Sequence, residues 1–391
     1  MTDASQKSRV GITVALGFAQ MLAWASSYYL IAILGDPMAK SLNISSTMVF
    51  AAFSVALLVS GLVGPKVGRT IDLIGGRGVL AGSNLVYAAA LVTLACAYDP
   101  ITLWAGWLLL GIGMGLGLYD AAFATLSRIY GLSARRAITG ITLLGGLAST
   151  VGWPLSAWGV DAIGWRWTCL AWAAAQICIG LPLNLLAIPK TPRHEVKTET
   201  HAAKPHVPID RTMMLLGFAF AVGWMVSAGM AAHLPRLLEA AGATASQALI
   251  AASLIGPAQV IARLAEAAIF SQYNPLISAR IAMMLHPIGA GLVAIGGGAL
   301  ALPFTFLHGA GNGILTIARG TVPLAVFGPD NYGYRVGLIN APTRIGQAAA
   351  PLAFGLLIEA YGAGTLVVSS LMCLSAVLAF SCVRRAPHNL S

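Results

Sequence analysis

Twelve apolar runs, each about the twenty residues a helix needs to cross a lipid bilayer, follow one another along this 391-residue chain. Between polar, glycine and proline breaks they cover approximately residues 11–34, 46–65, 78–98, 101–129, 137–158, 165–188, 212–235, 245–270, 276–297, 300–326, 336–358 and 365–383. Hydrocarbon offers the backbone no outside partners, so runs of this length are expected as helices. A soluble domain carries about a quarter charged residues; here 9% are charged and 58% are hydrophobic. The reading is an all-α, multi-pass integral membrane protein solvated mainly by lipid.

The net charge of +10 lies in short connections between the runs, as in cytoplasmic loops, so nucleic acid is not expected as a partner. All five cysteines (Cys96, Cys169, Cys178, Cys373, Cys382) fall inside apolar runs without a CxxC pair. They imply neither a disulfide framework nor a metal site, and no cofactor is expected. The first run continues to Leu34, too long for a signal-peptide core, and reads as a retained span.

One long hydrophilic connection, "PKTPRHEVKTETHAAKPHVPIDR" at 189–211, splits the chain near its midpoint. The expected organisation is a six-helix bundle at 1–188, a cytoplasmic linker at 189–211 and a second six-helix bundle at 212–391. Basic residues gather on one side if both termini are cytoplasmic, the orientation expected in a bacterial inner membrane. The halves also echo each other. Gly113, Gly115 and Gly117 of span four align with Gly309, Gly311 and Gly313 of span ten, and Pro154 with Pro351, at an offset near half the chain. Two six-helix pseudo-repeats around a central cavity is a transporter architecture.

Between spans two and three stands "GRTIDLIGGRG", dense in charge for so apolar a chain. Its pattern Gly68-x-x-x-Asp72-x-x-Gly75-Gly76-Arg77 resembles the signature loop of the major facilitator superfamily, where the same spacing joins the same two spans. The resemblance implies a cytoplasmic gate latch built from Gly68, Arg69, Asp72, Gly75, Gly76 and Arg77. In it Asp72 accepts from a neighbouring helix N-terminus or an arginine. Ala262-Arg263-Leu264-Ala265-Glu266 is a decayed copy of Gly68–Asp72 in the second half.

Charges inside spans cost at least about 2.5–3.5 kcal/mol each on insertion scales, and so need a reason. They are Asp120 in span four, Arg263 in span eight, Arg319 in span ten and Arg344 in span eleven. Three cations against one acid suit an anionic substrate. Arg263 and Arg344 resemble the substrate-binding cations of the oxalate–formate exchangers and, more loosely, of the monocarboxylate transporters. Where the latter place an acid before the span-eight arginine, this chain has Gln259; their span-five signature survives in part as Tyr130, Arg135-Arg136, Gly140 and Gly145. Arg263 also reads as a structural partner of Glu266. Asn340 and Gln347 lie within a turn of Arg344 and share its polar site. Tyr28 and Tyr29 beside Ser26-Ser27, Tyr119 and Asn312 complete the candidate substrate-binding set, while Trp153 and Trp224 read as cavity lining or as an interfacial belt. Asp120 reads either as a proton site or as the buried partner of Arg319. His233, His286 and His308 read first as packing residues and second as proton carriers.

The functional expectation is a monomeric secondary transporter for a small carboxylate-like organic anion, working by alternating access as an exchanger or with protons. The alternative is a proton-driven efflux pump for drugs or toxic compounds, whose span-five glycine–proline pair is missing from "GGLASTVGWPLSAWG". No GxxxxGK[ST] loop supports direct ATP coupling, and no spaced His/Asp/Glu cluster supports an enzyme.

Overall fold

A computed structural model describes residues 3–190 and 207–383. Residues 191–206, most of the expected linker, lie outside the described residues. The described residues contain helices and no strand. They fall into two compact units: Met1–Pro208 with Pro329–Leu338, and Ile209–Gly328 with Ile339–Ser391.

The first unit holds α1 (Asp3–Ala25), α2 (Ile31–Leu42), α3 (Ser46–Ile74), α4 (Gly76–Ala95), α5 (Pro100–Gly117), α6 (Tyr119–Tyr130), α7 (Arg135–Gly145), α8 (Ala148–Ala175) and α9 (Leu181–Ala187). The second holds α10 (Arg211–Ala240), α11 (Ala245–Ser253), α12 (Ile255–Ala268), α13 (Pro275–Gly296), α14 (Ala301–Phe327) and α16 (Thr365–Cys382). α15 (Tyr332–Tyr361) begins in the first unit and continues in the second.

Polar residues between the apolar runs start the helices by satisfying their first amides. Asp99 accepts from the Thr102 amide at 2.9 Å, with Pro100 opening α5. Asp210 accepts from Met213 at 2.8 Å, and Thr244 and Gln247 form a capping box at α11. By length and composition seven helical segments among the described residues can cross a membrane. Three of them, Pro100–Ala187, Pro275–Phe327 and Tyr332–Cys382, merge several helices and are longer than one crossing requires.

Several expected spans are interrupted. Span one breaks at residues 26–30 between α1 and α2, span four at the extended residue Leu118, and span eight at Leu254. Spans five and six run into one another in α8 through a kink at Gly164, whose φ of 81° suits glycine. The expected loop Gly68–Gly78 is also shorter than the charge pattern suggests. α3 runs to Ile74 and α4 starts at Gly76, so Gly75 alone, at φ 87°, makes the reversal. Arg69 and Asp72 do not end a helix; only the left-handed residue does.

Glycine lets neighbouring helices touch at the backbone. A Cβ on Gly113 would meet the Tyr87 ring of α4 at 2.8 Å, and one on Gly115 would meet the Ser60 carbonyl of α3 at 3.1 Å. In the second unit a Cβ on Gly311 would meet the Ala282 carbonyl of α13 at 2.5 Å. Gly309 and Gly313 face Ile255 and Gln259 of α12 in the same way. Gly111 faces the Ala56 carbonyl of α3, so by the neighbours they face Gly111, Gly113 and Gly115 correspond to Gly309, Gly311 and Gly313, a register two residues from the one that the aligned sequences suggest.

Candidate functional site

The first unit gathers aromatic side chains around the break between α1 and α2. Trp24 is the hub, with ring centroids 5.2 Å from Tyr28, 5.9 Å from Tyr29 and 5.0 Å from Tyr119. Tyr28 continues to Phe53 at 5.5 Å, and Tyr29 to Trp153 at 5.7 Å. The Trp153 indole donates to the Tyr29 carbonyl at 3.2 Å. Three of the tyrosines singled out in the sequence thus meet in one cluster. Trp24 was not singled out, because its apolar run gives no hint of which rings converge on it. Gly145 makes room for this arrangement, since a Cβ there would sit 2.5 Å from the Tyr119 hydroxyl.

A buried amide chain, marked by no local sequence pattern, also ends at this break. Asn184 donates to Asn84 at 2.8 Å, Asn84 to Gln176 at 2.6 Å, and Gln176 to the Ser26 hydroxyl at 2.7 Å. Ser26 and Ser27 donate back to the Leu22 and Ala23 carbonyls at 2.8 and 2.5 Å. The Leu22 carbonyl also accepts from the Ser26 amide at 3.0 Å, so the two buried hydroxyls reinforce the end of α1 where the helix breaks. Asp120 stands in the first turn of α6, where the positive ends of the peptide dipoles collect.

The second unit holds the buried charge. Arg263, Glu266, Arg319 and Arg344 are all buried, whereas no Lys, Arg, Asp or Glu among the described residues of the first-unit helices α1–α9 is. Arg344 donates to Gln347 at 3.0 Å, and Asn340, one turn earlier on α15, is buried with it. Arg263 donates to Gln259 at 3.2 Å on α12. Arg319, 1% exposed, lies 5.4 Å from the centre of the Trp224 ring, close enough for a cation–π contact. Asp120 and Arg319 belong to different units. Asn312 lines a small cavity with Gly223, Ser227, His286 and His308, and His233 bonds to the Pro351 carbonyl at 2.7 Å.

The signature residues gather at the start of α15, inside the first unit. Asp72 accepts from the Gly333 amide through Oδ1 and from the Tyr334 amide through Oδ2, both at 2.9 Å. A carboxylate on two free amides of a helix N-terminus is a strong, charge-assisted arrangement. Arg69 lies 5.9 Å from the centre of the Tyr334 ring. Arg128 donates to the Asp72 carbonyl, and to the Leu73 carbonyl at 3.3 Å, neutralising the C-terminal end of α3. Gly76 leaves room for Thr125 of α6. Arg77 follows in the first turn of α4, half-buried.

A family model described as the Major Facilitator Superfamily matches residues 16–306. A protein named gentisate transporter from Corynebacterium glutamicum is 26% identical over 342 residues, covering 82% of this chain and 75% of its own. An uncharacterised 38 kDa protein of Thermoproteus tenax is 27% identical over 370 residues, covering 88% and 94%. Among solved structures, the human organic anion transporter MFSD10 superposes with a TM-score of 0.70 at 15% identity, over 95% of this chain and 99% of its own. The E. coli fucose:proton symporter FucP superposes with a TM-score of 0.73 at 16% identity, over 97% and 100%.

Proposed function

The chain belongs to the Major Facilitator Superfamily, and on that premise we propose that it is a secondary carrier of a small organic anion, a carboxylate, moved by alternating access as an exchanger or together with protons. It is a multi-pass membrane transport protein and not an enzyme. The observation that carries the anion reading is Arg344, buried in α15 with its guanidinium on Gln347 and Asn340 one turn away. An arginine held in a buried polar site has planar paired donors that match a carboxylate. Arg263 and Arg319 add charge of the same sign in the same unit. The name of the Corynebacterium relative, gentisate transporter, supports a carboxylate substrate, as does the human anion transporter of like fold.

In this proposal the chain crosses the membrane twelve times in two six-helix halves joined by the 189–211 linker. Both termini are cytoplasmic, the membrane is a bacterial inner membrane, and the protein works as a monomer. Asp72 on the first turn of α15 acts as a gate latch that is made and broken during the cycle. Asp120 serves as proton site or as ion-pair partner of Arg319. A thermal-shift panel of mono- and dicarboxylates, amino acids and cationic drugs on the purified protein tests the substrate class. Stabilisation by carboxylates supports the reading; stabilisation by cationic drugs alone refutes it.

A further inference from the structure

The second unit contains two histidines joined to each other and to a serine by short contacts between ring nitrogens and hydroxyl. His286 of α13 and His308 of α14 meet Nδ1 to Nδ1 at 3.0 Å, and His286 Nε2 lies 2.9 Å from Ser369 Oγ of α16. Ser369 Oγ also lies 3.1 Å from the Leu366 carbonyl, and with its one proton directed there its oxygen accepts from His286. In that arrangement neutral His286 carries its proton on Nε2 and presents a bare Nδ1. His308 donates Nδ1–H to that nitrogen, which leaves His308 Nε2 bare. All three side chains are buried. Beside them is a cavity of about 20 Å³ lined by Ser227, Asn312 and Cys373. That is room for one water and for no organic anion. Asn312, one turn beyond His308, has its Oδ1 buried without a hydrogen-bond partner, a place for such a water to donate.

We propose that His286 and His308 form a binding site for a single proton. The incoming proton bonds to His308 Nε2, and the Nδ1 proton then passes across the 3.0 Å gap to His286 Nδ1. The charge is thereby shared between two rings while only N–H bonds form and break. A second proton would set N–H against N–H across that gap with two like charges side by side, so the capacity is one. The other titratable groups leave the site to itself. The cavity lining adds only Cys373 from α16 and none from α10. On α10, His233 lies six residues beyond Ser227 and is bonded to Pro351; Arg236 and Glu239 are farther still. On α13, Arg280 is engaged by the Phe380 carbonyl. α12 meets α14 beside His308 at Ile255 and Ala258, with Arg263 and Glu266 five and eight residues past Ala258. α11 carries no ionisable residue, and Arg319 lies three turns along α14.

The use of this proton in coupling rests on the carrier reading, but its binding does not, so the test contains no substrate. Unbuffered full-length protein in detergent is titrated from pH 8 to pH 4, and bound protons are counted for wild type and for the double variant His286→Gln, His308→Gln. The five remaining histidines are common to both. A difference of one proton is expected. A difference of zero, from a silent packing pair, or of two, from independent rings, overturns the proposal. Should size-exclusion chromatography show the double variant misfolded, ¹⁵N spectra of histidine-labelled wild type decide. One imidazolium shared by the pair at pH 4 is expected, and two or none overturns it.

Discussion

Gly68 and Gly333 meet backbone to backbone, so closely that a Cβ on Gly68 would overlap the Gly333 carbonyl and one on Gly333 would sit 2.5 Å from the Gly68 carbonyl oxygen. The approach repeats one turn away, where a Cβ on Gly337 would sit 2.6 Å from Pro65 and 2.8 Å from the Gly64 carbonyl carbon. One turn beyond Gly68, Asp72 receives the Gly333 and Tyr334 amides. α3 thus presents Gly64, Gly68 and Asp72 on one face, spaced by four residues. The glycines set the distance at which the carboxylate reaches the amides.

Gly68→Ala and Gly333→Ala each force backbone apart and should destabilise the protein by about 1–3 kcal/mol, as overpacking does. Gly78→Ala, with open space around it, should be silent. Melting temperatures of the three variants check this. Equal stability of all three would mean that the close approach contributes nothing.

Asp72→Asn replaces one accepting oxygen by an NH₂ that faces an N–H. It leaves an amide at the start of α15 unpaired, at a cost of about 1–3 kcal/mol. Insertion and expression should hold while transport slows about tenfold or more, and cysteine labelling from the two sides should show an altered conformational balance. Transport at the wild-type rate would remove the latch.

The helical membrane class was legible because lipid leaves a long apolar run few options. The signature glycines and Asp72 were legible as a spacing, but their reach to Gly333 was not, since that partner is 261 residues away. The tyrosines near Ser26-Ser27 stood out as polar-edged residues in an apolar run. Trp24, Gln176, Asn84 and Asn184 did not, because convergence from four helices leaves no local periodicity. His286 and His308 looked like separate packing residues for the same reason, each being the one histidine on its helix, and Ser369 did not stand out among the serines of α16. The helix breaks at Leu118 and Leu254 adjoin Gly117 and Gly256-Pro257, local breakers that the long apolar runs around them hide.

Arg344→Lys keeps the charge but loses the planar pair of donors. Apparent affinity for a carboxylate should fall about tenfold with expression intact, and Arg344→Ala should nearly abolish binding. Titration of purified variants by substrate-induced melting shift measures both. Normal binding by the alanine variant would leave the anion reading to Arg263 and Arg319.

Asp120→Asn should abolish uptake driven by a pH gradient under either role proposed for it. Exchange of internal for external substrate then separates the roles. A proton site leaves exchange intact, because exchange moves no net proton. An ion-pair partner takes exchange down too, since a buried arginine left alone typically costs about 3–5 kcal/mol, and adding Arg319→Gln should restore part of it. Full activity in both modes would contradict both roles.

The central claim, a carboxylate carrier, is tested most directly by counterflow in vesicles reconstituted with the full-length protein and preloaded with unlabelled gentisate. Wild-type vesicles are expected to accumulate labelled external gentisate saturably, with benzoate competing and an organic cation not competing, while Arg344→Ala vesicles match protein-free controls. Vesicles that exchange an organic cation but neither gentisate nor any other mono- or dicarboxylate would contradict it.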